Sequence, residues 1–366
     1  MSKRVLIIFP NEWLAYTPTL LNLVTKLSDS FEIKVLAIDD GHYKSSEICS
    51  ENFEFLRVQP MVVKLNAFFK EKLGTSKLYQ LTKMALLFFA AKSYKGWADE
   101  VITIDSAGLW VAQRIFGKCH FMSLELFNDK LFQQCGLTLI ESVIIQSQER
   151  YDYLFGDRTI KTFLIQNSPP YQADSSIESS VPSERAIFLG NANSRNGAYV
   201  CIEALRSIDN LSLTVKGSIS NEDKLRIETS YGELLDSGRL SIDDHYIKQD
   251  DIIAYLSQYY VGFCFYDLSC TDDMTQFNFI SVPSGKLFNY YAAGVPVIGS
   301  NLPGLSSVKE FETGILLDCI SAEEVLHALN YIDANHQRLR ENCFKAAVHF
   351  DFNSAVKPFK EYLLSR

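Results

Sequence analysis

The chain has 366 residues, of which 47% are hydrophobic and 22% charged, and a formal net charge of −9. That length exceeds one ordinary core and favours two domains with a cleft between them. The acidic balance excludes a general nucleic-acid binder, which needs an extended basic surface, and no run is apolar enough to cross a bilayer.

The first residues, Met1-Ser2-Lys3-Arg4 followed by Val5 to Phe9, have the charge of a signal peptide, but the apolar run is short and ends at Pro10-Asn11-Glu12. A first buried strand over 4–9 explains it better. Leu20, Leu23, Val24 and Leu27 recur at helical spacing over 17–28, and a second strand is expected at 33–38. The segment 64–97 holds seven lysines and one acid, Glu71, interleaved with Phe68, Phe69, Leu73, Leu78, Tyr79 and the run Leu86 to Phe89. It reads as a helix pair with one buried face, and its basic, apolar character suits peripheral contact with an anionic membrane. Further strands are expected at 100–104, 119–123 and 143–146. Short apolar runs alternating with helical patterns predict βαβ units around a parallel sheet.

The text then changes to NSPPYQADSSIESSVPSE, whose prolines and serines disfavour both helix and central strand. The expected division is a first domain over 1–168, a linker over 169–184, a second domain over 185–345, and a terminal segment, 346–366, whose helix returns to the first domain. In the second half strands are expected at 186–189, 211–216, 240–242, 261–265 and 297–299. Helices are expected at 199–207, 222–233, 249–258, 285–293 and 322–335, and a last one at 351–364. Eight cysteines stand singly without a CxxC pair, as suits reduced thiols in cytoplasm, and the histidines lie apart with no GxSxG nucleophile.

Four pieces of the second half belong together. In AIFLGNANSRNG a strand, a small-residue loop (Gly190, Asn191, Asn193, Ser194) and a helix start present amides to an anion, with Arg195 able to clamp a diphosphate. In SVPSGKLFNYYAAGVPVI, Pro283 fits a first helical turn and Gly294 a helix end. Lys286 and Asn289, three residues apart, share a face that can meet phosphate and a sugar hydroxyl. The turn GSNLPG follows a parallel strand, where α/β sheets bind ligands. The stretch YDLSCTDDMTQFNFIS, from Tyr266 to Ser281, reads as a long functional loop.

The run PSGKLFNYYAAGVPVIGSNLPG, with Asn278 upstream and GILLD downstream, resembles the donor-site signature of retaining GT-B glycosyltransferases of the glycosyltransferase group 1 superfamily. The resemblance extends to FLGNANSRNG, to the region from His245 to Tyr266 and, more faintly, to ADEVITID and SVIIQSQERYDYL. It implies an α/β protein of GT-B architecture, two Rossmann-like doubly wound domains facing a central cleft. The implied activity moves a sugar from a nucleotide-sugar co-substrate to a glycan, lipid-linked saccharide or protein, with retention at the anomeric carbon. A binding or scaffold subunit and a nucleotide-sugar epimerase are the other functions such a chain could serve.

Arg195 and Lys286 are expected to stabilise the leaving diphosphate, and Glu125 to polarise the acceptor hydroxyl or the sugar. Donor contacts are expected from Gly190, Asn191, Asn193, Ser194, Asn278, Ser281, Pro283, Ser284, Gly285, Leu287 and Asn289, with His245 lining the base pocket. No cofactor or metal is expected, because no Asp-x-Asp sequence is present. Many relatives carry two glutamates eight positions apart where this chain has Ser281 and Asn289. Where the family has Asp and His in the first half, FMSLELF has Met122 and Leu124, and only Glu125 survives.

Overall fold

The computed structural model describes residues 2–39, 51–73, 76–126, 129–172, 185–193, 197–268, 273–281 and 284–366. Two compact units result, one of residues 1–166 with 353–366 and one of residues 167–352.

Unit 1 runs β1 (Lys3–Phe9), α1 (Pro18–Ser28), β2 (Phe31–Asp39), β3 (Phe53–Arg57), α2 (Pro60–Leu73), α3 (Lys77–Ser93), β4 (Glu100–Ile104) and α4 (Asp105–Ile115). It continues with β5 (Cys119–Met122), α5 (Lys130–Gln133), β6 (Ile140–Ile145), α6 (Gln148–Phe155) and β7 (Thr162–Leu164). Among the described residues its strands form a seven-stranded sheet in the order β3-β2-β1-β4-β5-β6-β7, paired in parallel throughout. Val5 to Phe9 are entirely buried, as a strand covered by helices on both faces requires. The order reverses between β1 and β4, so the segments after these two strands part and leave a crevice at their carboxyl ends.

Unit 2 repeats the plan with β8 (Arg185–Leu189), α7 (Ala198–Arg206), β9 (Ser212–Lys216), α8 (Asn221–Asp236), β10 (Leu240–Asp243), α9 (Ile252–Leu256), β11 (Val261–Cys264) and α10 (Asp273–Ser281). Then follow α11 (Gly285–Ala293), β12 (Val297–Ser300), α12 (Ser307–Glu310), β13 (Gly314–Leu317) and α13 (Ala322–His349). The parallel order β10-β9-β8-β11-β12-β13 places the switch point between β8 and β11. Tyr290, fully buried on α11, fills the space above Gly262, where a Cβ would stand 2.7 Å from its ring. Its hydroxyl accepts from Leu189 N at 3.1 Å and donates to Phe263 O at 3.2 Å, tying β8 to β11 beside the switch point.

The last helix, α14 (Phe352–Ser365), groups with unit 1 from residue 353 onward. Phe359 packs on His120 and Phe163, and Lys3 Nζ donates to Leu363 O at 2.9 Å. At the amino-terminal end of the sheet Glu100, His120 and Glu141 bring ligand-type atoms within 4.8 Å of one another. Lys3 and Arg366 neutralise that cluster with contacts of 3.3 Å and 2.7 Å, so it serves as a clasp for α14.

Several sequence expectations need correction. The stretch from Tyr266 to Ser281 is a loop only in part, since 273–281 is helical. Phe279, its ring tilted against that of Tyr266 with centroids 4.6 Å apart, supplies the packing that the polar sequence concealed. The helix expected over 322–335 continues to His349, past the expected domain boundary at 345, because Leu339, Cys343, Ala346 and Ala347 extend its buried stripe. Of the expected linker, 173–184 lie outside the described residues, and 169–172 group with unit 2.

Candidate functional site

The end of β8 sets the geometry of unit 2. Gly190 N donates to Lys216 O at 2.8 Å, and Gly217 (φ +144°) brings its Cα so close that an added Cβ would stand 2.2 Å from Gly190 O. Only glycine accommodates both that dihedral and that approach. The segments after β8 and β9 are thereby pressed together, which leaves the other side of Gly190, toward β11, for a side chain.

Lys286 comes nearest to that side. It sits in the first turn of α11, and its Nζ lies 5.0 Å from the Phe188 ring centroid, 4.7 Å from that of Tyr266, and 4.0 Å from where a Gly190 Cβ would be. The ammonium thus stands at the switch point, between the segment after β8 and the segment after β11. It is half-buried and has no hydrogen-bond acceptor or carboxylate partner among the described residues. Two ring faces offer about 0.5–1 kcal/mol each at such a site, less than an anion would supply. The helix start adds to the same field, since the first amides of α11 have no intrahelical acceptor and carry the positive end of the dipole.

Ser284 caps α11 with its backbone only, and its Oγ accepts from Tyr266 OH at 2.7 Å. Tyr266 N in turn donates to Ser300 Oγ at 2.9 Å, so β11, α11 and β12 are joined around the lysine. Gly285 passes Asn167 so closely that a Cβ would meet its Nδ2 at 2.5 Å. Ser281 is buried with its Oγ unpartnered among the described residues, which costs about 1–3 kcal/mol unless something else bonds it. Asn289 is half-buried on α11, while Asn278, Asn191 and Asn193 have interactions with their surroundings.

Leu287, named among the expected donor contacts, points inward. Its side chain is fully buried in the core beneath α11, and its amide donates to Ser284 O at 2.9 Å, so it supports the helix. Ser194, Arg195 and Pro283 lie outside the described residues.

At the end of β10 the ring of His245 is 89% exposed, and its backbone carries the local structure. Lys216, buried at the end of β9, bonds both Asp243 Oδ1 at 2.8 Å and the His245 carbonyl. Burial pushes the Asp243 carboxyl up, but Lys216, the His245 amide and the Tyr255 hydroxyl together hold it down at about 2. Lys216 is therefore a committed cation, unlike Lys286. A lysine ending the apolar run LTVK was the available signal for it, and the sequence reading passed over it.

The switch point of unit 1 carries a second polar group. Asp105, directly after β4, adopts φ +52°, unusual for a residue other than glycine. Its buried Oδ1 accepts from Leu124 N at 2.9 Å and Glu125 N at 3.0 Å, and its Oδ2 accepts from Asn11 Nδ2 at 3.2 Å. Burial pushes this carboxyl up to about 7 against the pull of those donors. Arg150 holds Leu124 O at 2.9 Å from below. Glu125 reaches solvent while ringed by protein, and that desolvation raises its carboxyl against the attraction of Arg150. Glu12, after β1, accepts from Tyr79 OH at 2.8 Å and Lys83 Nζ at 2.6 Å. The sequence reading named Glu125 at this end and missed Asp105, whose one signal was an acid placed directly after an apolar strand.

This pairing of two doubly wound units is the GT-B fold. No protein-family model matches the chain, and no curated protein matches it by sequence. Among solved structures, HepE from Anabaena in complex with UDP is similar over 100% of both chains, at TM-score 0.69 and 13% identity. Sucrose-phosphate synthase from Thermosynechococcus elongatus matches over 99% of both chains, at TM-score 0.67 and 16% identity. The trehalose 6-phosphate synthase of Burkholderia multivorans matches over 100% of this chain and 99% of its own, at TM-score 0.64 and 13% identity.

Proposed function

We propose that the protein is a glycosyltransferase that uses a nucleoside-diphosphate sugar as donor. The observation that carries this reading is Lys286: a half-buried ammonium at the switch point of unit 2, beside Gly190 and the start of α11, with no protein acceptor among the described residues. A diphosphate supplies the charge and the oxygen acceptors that this position lacks. As the bond between the anomeric carbon and the diphosphate oxygen breaks, its electron pair goes to that oxygen, where Lys286 and the helix amides stabilise the growing charge. The acceptor oxygen bonds the anomeric carbon, and its proton passes to the departing diphosphate. This course retains the anomeric configuration and needs no metal.

The Ser281 hydroxyl, without a partner among the described residues, and the half-buried Asn289 are assigned in this reading to the sugar and the nucleotide ribose. Arg195 and Ser194 keep the diphosphate roles expected of them, and Pro283 its expected donor contact. The acceptor, a glycan, a lipid-linked saccharide or a protein, is assigned to the Asn11–Asp105–Glu125 end of unit 1. The protein works in the cytoplasm, with 64–97 available to the inner face of a membrane.

Calorimetry with UDP, GDP and ADP tests the reading. HepE was solved with UDP, so UDP comes first. Binding of one of these nucleotides, followed by slow hydrolysis of the matching nucleotide sugar, is the expected result. Failure of all three to bind would leave the fold without a donor site and sink the reading.

A further inference from the structure

We propose that the acceptor is a saccharide carried on a lipid in an anionic membrane, and that α2 and α3 seat unit 1 on that membrane. The acceptor half of this statement rests on the glycosyl-transfer reading, whereas the membrane seat stands on its own observations.

The first is the poor burial of α2. None of its residues 60–72 is buried, and Met61 and Phe68, seven positions apart on one stripe, are 71% and 54% exposed. A helix that buries so little of its apolar stripe against its own protein lacks the packing that ordinarily holds a helix in place. The second is the division of α3 into two faces. Tyr79, Lys83, Leu87 and Ala91 form its buried stripe, while Leu81 and Phe89 on the outer side are 68% and 70% exposed. Large apolar side chains exposed together on neighbouring helices mark an interaction surface.

Charge identifies the partner. Lys64, Lys70, Lys72, Lys77, Lys92 and Lys95 are all exposed, and Glu71 is the one acid between 64 and 97 in a chain of net charge −9. Lysines flanking exposed aliphatic and aromatic side chains match what a helix needs to lie in an anionic headgroup layer, its apolar face in the acyl boundary and its ammonium groups among the phosphates. A second copy meeting this face through the same face would bring its own lysines, like against like.

The inner face of α3 explains why such a seat bears on the acceptor. Tyr79 and Lys83 both bond Glu12, which follows β1 and borders the Asn11–Asp105 pair. One helix thus carries the exposed apolar face on one side and the acceptor end of the sheet on the other. A helix is about 10 Å across, so a saccharide at that end lies within reach of a headgroup layer on the far side. A water-soluble acceptor would draw no benefit from that arrangement, and a lipid-borne one is concentrated by it.

The test is co-flotation of the full chain with vesicles of phosphatidylglycerol and phosphatidylcholine, and with phosphatidylcholine alone. Binding to the anionic vesicles that weakens with salt is expected. The pair Leu81→Ser with Phe89→Ser, and separately Lys64→Glu with Lys72→Glu, should each lower it by about tenfold or more while UDP affinity stays unchanged. Transfer to a polyprenyl-linked saccharide in those vesicles should fall with the same substitutions, and transfer to the free saccharide should be slower in the unaltered chain. Equal flotation with both vesicle types overturns the membrane seat. So does self-association in sedimentation that the substitutions abolish while no vesicle is bound, which would assign the face to a second copy. Equal transfer to the free and lipid-borne saccharides overturns the acceptor assignment. Anionic-vesicle binding in a chain that binds no nucleotide leaves the seat standing and removes the acceptor assignment together with the transfer reading.

Discussion

At the switch point of the first sheet, the amide of Asn11 after β1 bonds the carboxyl of Asp105 after β4. At the switch point of the second, the ammonium of Lys286 lies between the segments after β8 and β11, with two rings beside it and no acceptor among the described residues. The topology is the same, and the electrostatics differ. In unit 1 the polar groups bond one another, so that end is built before any ligand arrives. In unit 2 the committed cation, Lys216, is spent on Asp243, and a second cation is left open to an anion. The fold thus decides where a site can be, and a few side chains decide whether that place is closed on itself or open to charge.

The most damaging way to break the comparison is at Asp105. Asp105→Ala leaves the Leu124 and Glu125 amides without their acceptor and puts alanine at φ +52°. A loss of about 3 kcal/mol in chemical denaturation is expected. Asp105→Asn keeps an oxygen for both amides and tolerates the left-handed dihedral, so it should cost much less. The two aspartates at strand ends also give opposite pH signatures. The folded chain holds the Asp105 proton between the ordinary 3.8 and about 7, and the unfolded chain does not. Unfolding free energy should therefore decline as pH rises through that window, by up to about 1.4 kcal/mol per pH unit, and Asp105→Asn should flatten the slope. Asp243 is held at about 2, so its stabilisation is complete above 3.8 and is lost as pH falls toward 2. Asp243→Ala leaves Lys216, buried at the strand end, with only a carbonyl, and should cost about 2 kcal/mol.

What the sequence disclosed follows the range of the interactions involved. The bounds of α11, Gly285–Ala293, were legible to the residue, because Gly294 in the left-handed C-cap position and Pro296 beyond it are local signals. Most strands were legible within two residues, because burial on both faces writes itself as a continuous apolar run. The helix at 273–281 was not, since its packing on Tyr266 comes from a residue outside it. The strand Phe53–Arg57 was missed because it borders the sheet and alternates phenylalanine with charge. Within the site, Lys286 and Ser284 stood out through their place at a helix start. The Lys216–Asp243 pair and the Asp105 cage did not, because their partners are 27, 19 and 20 residues away and no local pattern records them.

Lys286→Ala sharpens the comparison on the side of function. The ammonium has no protein acceptor among the described residues, so fold stability should hardly change, whereas turnover should fall at least tenfold, on the order of 1.4 kcal/mol of lost transition-state stabilisation. Nucleotide-sugar hydrolysis and transfer rates measure the loss, and an unchanged rate would detach Lys286 from the chemistry.

The smallest effect is expected at His245. Its backbone holds the strand end, with its amide bonding Asp243 Oδ1 at 3.1 Å and its carbonyl accepting from Lys216, while the ring is 89% exposed. A ring so placed can be removed without disturbing the strand end. His245→Ala should therefore change nucleotide affinity by less than about twofold, within the few tenths of a kcal/mol usual for an exposed position. Titration of UDP into the variant decides the matter. A drop of tenfold or more would mean that the ring closes onto the bound base, and that unit 2 completes its site only around the ligand, in contrast to the preformed end of unit 1.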